Sequence, residues 1–338
     1  MPDFRFSVPY NNDPTLLKKL VGLQNINGNR IEGIYLSGPR EIYSSGRTVS
    51  EISLRELMKV IRFCHKKELK VDLAINSTCE GRMEYSIEHV SKTLKFLKTL
   101  HEGHGLDGVI VANPAYIQTI KKELPGLSIA ASAFSDIDSF EKARFFKKIG
   151  ADTLTLNGLN RDFRTLEEIK KLGIGLRIMA NEGCIWKCPL RQFHNNFTSH
   201  ASKEGNISID PCAESCIGLR KFYPELIITS DWILPQWLAK YGKITRDIKI
   251  VGRTMESKWI LQRVMDYLHE EYAGNILDLL ESAIPMFNRR FNWYISSSHF
   301  DEAFFKKVTS CNKNCFVCHY CRDIAKKSIE NLSHIGNG

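Results

Sequence analysis

Eight short runs rich in β-branched and aromatic residues alternate with longer amphipathic stretches along most of this chain. The runs are Phe4–Tyr10, Gly33–Leu36, Val71–Asn76, Gly108–Ala112, Ser128–Phe134, Thr153–Leu156, Gly175–Ala180 and Ile248–Gly252. Strand-then-helix repeated in this way is the signature of an α/β fold. It fits a TIM-type (β/α)8 barrel, which needs about 250 residues. A doubly wound sheet is the other arrangement with the same alternation. Between the runs, Leu54, Leu57, Met58, Ile61 and Cys64 form one apolar stripe at helical spacing, and Phe140, Ala143, Phe146 and Ile149 form another. Cys64 lies on such a stripe and reads as core filling.

One connection breaks the rhythm. The interval 184–243 is far longer than the others, so it is expected as an insertion on the C-terminal face after the seventh strand. The barrel with this insertion should occupy 1–272, and 273–338 should be a C-terminal extension. Several runs end in polar residues: Asn76, Asn113, Asn157 and Asn181-Glu182, with Arg253 after the last. In a barrel these ends share the rim where active sites are built, although Asn also ends strands for turn reasons alone.

Eight of the ten cysteines fall in two windows, Cys184-x3-Cys188 with Cys212-x3-Cys216, and Cys311-x3-Cys315-x2-Cys318-x2-Cys321. A turn of chain or helix brings thiols three or four apart onto one side. Each window therefore supplies the four soft ligands of a tetrahedral zinc site or a [4Fe–4S] cluster. Disulfides would be the alternative use in an oxidising compartment. The strand-like start at Phe4 leaves no room for a leader and no apolar run nears the ~18 residues of a membrane span, so a soluble, cytoplasmic protein is expected. The net charge of +9 is spread over lysine pairs on helix-like segments, and permits an RNA or phosphate partner without demanding one.

The densest stretch runs Met179-Ala180-Asn181-Glu182-Gly183-Cys184-Ile185-Trp186-Lys187-Cys188, from the seventh strand into the insertion. With Lys249-Ile250-Val251-Gly252-Arg253 and Leu234-Pro235-Gln236-Trp237-Leu238 it resembles the peptidase U32 family, most closely between about 174 and 270. The resemblance implies a (β/α)8 barrel and, on Cys184, Cys188, Cys212 and Cys216, a [4Fe–4S] cluster at the rim. Family members of understood activity take part in oxygen-independent hydroxylation of RNA bases or of the ubiquinone ring; others are called proteases. The implied partners are a small aromatic molecule or RNA as substrate, with an electron donor or a paired U32-like subunit. Here the ligands come as two CxxxC pairs, where the family usually spreads them more widely, and Cys79 is expected to stay unliganded.

Beside that resemblance, Glu182 is the most credible acid or base at the rim. Arg177 should point into the barrel, with Arg253 near the rim to fork onto carboxylate or phosphate. Asn181 and His194 complete the candidate catalytic set. Cys311, Cys315 and Cys318 have radical-SAM spacing, but they follow the barrel and Cys321 closes the site. A second [4Fe–4S] cluster or a zinc clip is the better expectation there. Phe287, Phe291, Trp293 and Tyr294 should dock the extension on the barrel rather than stack bases. No Ser-His-Asp or HExxH pattern and no phosphate-cradling loop appears, so a peptidase reading rests on the family's name. A non-catalytic, cluster-bearing subunit is the remaining alternative.

Overall fold

The structure, a computed structural model, describes residues 3–332 apart from 24, 41 and 206–209. Eight parallel strands close into a barrel: β1 Arg5–Pro9, β2 Arg30–Ser37, β3 Lys70–Ile75, β4 Gly108–Val111, β5 Ser128–Ala131, β6 Thr153–Thr155, β7 Gly175–Met179 and β8 Asp247–Lys249. All eight runs become strands, and the register Arg5↔Asp247 between β1 and β8 excludes the open doubly wound sheet.

The strands are buried on both faces, as parallel strands are. On β3–β5, Leu73, Val109 and Ile129 face the helices, while Ala74, Ile110 and Ala130 pack inside with Tyr35 of β2. The outer ring is α1 Pro14–Gly22, α2 Leu54–His65, α3 Ile87–His104, α4 Pro114–Glu123, α5 Phe140–Lys148 and α6 Phe163–Lys170. Polar caps set their starts. Ser53 and Glu56 exchange the reciprocal hydrogen bonds of a capping box on α2, and Asn113 caps α4, so that strand-end Asn serves a turn. Cys64 is fully buried on α2, and burial pushes its thiol up to about 12.

The interval between β7 and β8 holds α7 Arg191–Glu204, α8 Pro211–Phe222, α9 Glu225–Ile228 and a 3-10 turn at Pro235–Tyr241. After β8 come α10 Ser257–His269, α11 Ile276–Leu279, α12 Ile284–Phe291, β9 Trp293–Ile295, α13 Glu302–Ser310, α14 Tyr320–Ser328 and β10 Ile329–Asn331. The extension docks through aromatic side chains. Trp232 of the insertion stacks on Trp237 at 5.6 Å and meets Phe300 at 5.1 Å, and Phe287 is fully buried against Phe291 and Trp293. Among the described residues no helix is long and apolar enough to cross a membrane.

Candidate functional site at the barrel mouth

Past the end of β7 the backbone ladder is continued by a side chain. Asn181 Nδ2 donates to the Val251 carbonyl at 3.1 Å, and its Oδ1 accepts from the Val251 N–H at 2.8 Å. Both ends of the amide are thus engaged on the chain beyond β8, and Asn181 acts as a strut. The Asn181 carbonyl in turn accepts from the Glu281 N–H at 3.2 Å, which draws the C-terminal extension onto the mouth. Gly183 makes that approach possible: a Cβ there would lie 2.5 Å from the Glu281 carbonyl oxygen.

The approach brings together a group that the sequence spacing does not announce. Ser282, in the left-handed region at φ 74°, places its Oγ 3.1 Å from Glu182 Oε1, 3.0 Å from Glu281 Oε2 and 3.2 Å from Cys184 Sγ. The single hydroxyl proton can be donated to only one of the two carboxyls at a time. Burial raises the Glu281 pKa. Burial would also raise that of Glu182, but Arg191, Cys184, Arg47 and Ser282 together outweigh it and hold the group below the usual carboxylate range. The surroundings thus bias the two carboxyls in opposite directions, Glu281 towards its protonated form and Glu182 towards the anion.

Cys212 and Cys216 stand one turn apart on α8, whose start is fixed by Pro211 and by Asp210 accepting from the Ala213 N–H. The other oxygen of Asp210 meets His194 Nε2 at 2.9 Å and clasps α7 to α8, which occupies that ring nitrogen. One turn beyond Cys216, the fully buried Arg220 donates to the Cys216 sulfur and to the Gly183 carbonyl. The guanidinium thereby holds the two thiol-bearing segments together. Cys184, Cys188, Cys212 and Cys216, with Glu182, Glu281 and His194, line one cavity of about 320 Å³ at the C-terminal mouth.

Arg47, Arg191, Lys249 and Arg253 bring positive charge to the same wall. Arg253 is held by Ser37 Oγ at 2.8 Å and the Ser45 carbonyl at 3.2 Å, and burial lowers its pKa to about 10. Lys249 lies buried with Nζ 4.2 Å from the Tyr35 ring centre. Burial, with Arg177 and Arg253 nearby, holds its amine well below the ordinary lysine value. Arg47 sits 4.4 Å over the Phe134 ring. Arg177 points into the barrel as expected, but one layer deeper, paired with Asp72 at 3.1 Å and outside the cavity lining. Sequence reasoning missed Arg47, Lys249, Arg220, Glu281 and Ser282. Only Lys249 carried a local signal, a lysine in a strand that must be buried on both faces.

All ten cysteines are free thiols. The rim quartet fits a soft metal centre in its chemistry: four sulfurs on one cavity, with a buried guanidinium on Cys216. Among the described residues no three His, Cys, Asp or Glu side chains already stand gathered around one point, so the thiols would have to draw together to hold a cluster. The second quartet lines a separate cavity of about 410 Å³, whose wall also includes Trp186 of the rim loop. The two cavities share no lining residue.

The model of peptidase family U32 matches residues 19–182. This corrects the expectation that the likeness is best over 174–270, because the match covers β2 to β7 and stops before the first cysteine of the rim quartet. A protein described as "Uncharacterized protease MJ1657", from Methanocaldococcus jannaschii, is 30% identical over 303 residues, covering 88% of each chain. The solved structure of "the U32 Peptidase Mk0906" superposes with a TM-score of 0.56 at 19% identity, covering 74% of this chain and 92% of that one. The extent and identity of the first relative and the barrel shared with the second agree with the family match: this chain belongs to peptidase family U32.

Proposed function

We propose that this U32 protein is an enzyme whose reaction runs at the barrel mouth, on a soft metal centre held by Cys184, Cys188, Cys212 and Cys216. The observation that carries the reading is that one cavity is lined by all four thiols and by the Glu182–Ser282–Glu281 group. An iron–sulfur cluster at those thiols would supply single-electron transfer or a Lewis-acidic iron. The family resemblance makes the transformation an oxygen-independent hydroxylation, or related redox modification, of an aromatic ring or nucleobase. Ring C–H plus water gives ring C–OH, protons and an electron pair, so an electron carrier must take the pair. Glu182, as the anion, is placed to accept a proton. Glu281 can return one through Ser282. Arg47, Arg253 and Arg191 would orient an anionic substrate, and the Tyr35 and Phe134 rings offer flat apolar contact.

The peptidase reading draws on the relatives' names alone. Among the described residues no histidine ring hydrogen-bonds a serine, threonine or cysteine, so a histidine-activated nucleophile is not assembled there. Anaerobic purification with iron, sulfide and zinc quantified tests the proposal. The wild type should carry about four iron and four sulfide per chain at the rim, and the C184A/C188A variant should lose both along with activity on RNA or quinone substrates. Zinc without iron, or cleavage of an unfolded protein that E182Q abolishes, would overturn it.

A further inference from the structure

The second thiol group presents a feature that its spacing does not. Cys311 follows the last turn of α13, Cys315 and Cys318 lie in tight turns, and Cys321 sits in the first turn of α14. Behind this group lies Arg161, which is almost wholly buried. Its Nη1 donates to the Ile228 carbonyl at 2.7 Å, while Nε and Nη2 are buried without any hydrogen-bond partner. Arg161 forms no ion pair among the described residues. Its guanidinium stacks 4.8 Å from the Trp232 ring centre, an apolar setting that does little for a full charge. An arginine does not shed its proton in such a place, so a bare buried cation calls for an anion within reach.

The groups whose anionic forms would act on Arg161 are Asp231, Tyr241, Cys321 and Cys311. Asp231 is itself buried, its pKa raised by that burial, and its Oδ2 accepts from the Asn160 N–H. With that oxygen on the Asn160 backbone, it makes no ion pair or hydrogen bond with the Arg161 guanidinium among the described residues. Tyr241 spends its hydroxyl proton on the Asn160 carbonyl. The tail loop, by contrast, reaches Arg161 directly. Lys313 adds a second cation, its Nζ donating to the Val308 carbonyl at 2.6 Å and to the Arg161 carbonyl at 3.4 Å.

We infer that Cys311, Cys315, Cys318 and Cys321 form a second metal site, a four-thiolate centre whose negative charge is matched by the buried Arg161 and by Lys313. Four thiolates around Zn²⁺, or around a [4Fe–4S]²⁺ core, leave a net charge of about −2 in either case. That shared anionic character is what the unpartnered guanidinium answers. The inference is independent of the rim chemistry. It also gives Trp186 a role: placed between Cys184 and Cys188 with its Nε1 donating to the Gly158 carbonyl at 3.0 Å, the indole walls the tail cavity. A filled tail site would thus brace the loop that carries the rim thiols.

The test uses the full-length protein purified anaerobically, with zinc, iron and sulfide quantified in the wild type and in C315A/C318A, C184A/C188A, R161Q and R161K. The expected result is that C315A/C318A loses one metal set, which C184A/C188A keeps. Loss of zinc alone identifies a mononuclear site, and loss of iron with sulfide identifies a cluster. In chelator competition R161Q should release the tail metal at least about tenfold more readily than wild type, as loss of a supporting group does. R161K should retain it better than R161Q. If R161Q does not fold, the cysteine pair and R161K still decide the matter. Identical metal content in wild type and C315A/C318A, or equal release from R161K, R161Q and wild type, overturns the inference.

Discussion

The two thiol quartets have the same donor count and each opens on a CxxxC pair, yet the fold puts them in opposite settings. The rim group faces the barrel mouth with two carboxyls, a serine and several cations converging on it. The tail group sits at the surface, where Cys315 and Cys318 are exposed and the intervening Phe316 is 93% exposed. Beneath it lies the buried Arg161, whose carbonyl accepts from Lys313 of the tail loop. Sulfur spacing therefore says that a metal can be held. Proton-handling groups within hydrogen-bond reach say where a reaction can be run.

The sharpest way to break this contrast is at the carboxyls. E182Q and E281Q should each lower turnover by about 10²–10⁴-fold, the range for loss of a positioned acid or base, while leaving tail metal untouched. E281Q should cost less stability than E182Q, because burial biases Glu281 towards its neutral form while the surroundings of Glu182 favour the anion. Equal turnover in both variants and wild type would reduce the mouth to a second structural thiol site. A smaller effect is expected from N181A, which strips the Val251 N–H and carbonyl of their partner. Denaturant unfolding should show a loss of about 2–3 kcal/mol, with rim metal released more readily and tail metal unchanged.

The smallest effect tests the burial of Lys249 through pH. Its folded pKa lies well below the unfolded value of 10.5, so the unfolded chain binds the extra proton between the two values. Stability from this group therefore falls as pH drops below about 10.5 and levels off once pH passes below the folded pKa. K249M removes the buried amine. Its Tm should exceed that of the wild type near neutral pH, and the gap should close as pH approaches 10.5. A gap independent of pH would show that the amine stays charged in the folded protein.

What could be read ahead of the structure divides along range. Each strand run, the stripe through Leu57, Ile61 and Cys64, and the long interval after β7 are local patterns, and all appear in the fold. The cysteine windows are local too. Arg177 was legible as inward-facing because strand alternation gives a side chain's face. Its pairing with Asp72 on β3 was not legible, since only barrel closure brings those strands opposite each other. Likewise, Asn181 looks catalytic by position but is spent on the Val251 backbone.

By itself, then, the sequence determined the barrel, the insertion at its mouth and the existence of two four-thiol groups, because periodicity and short spacing act over a few residues. Only the tertiary structure decided which group sits beside proton-handling chemistry. Ser282 lies 100 positions from Glu182, and Arg161 lies some 150 positions before the tail thiols it faces. No periodicity links residues that far apart. Packing does, since a buried charge or a shared proton is tolerated only where the folded chain supplies its partner.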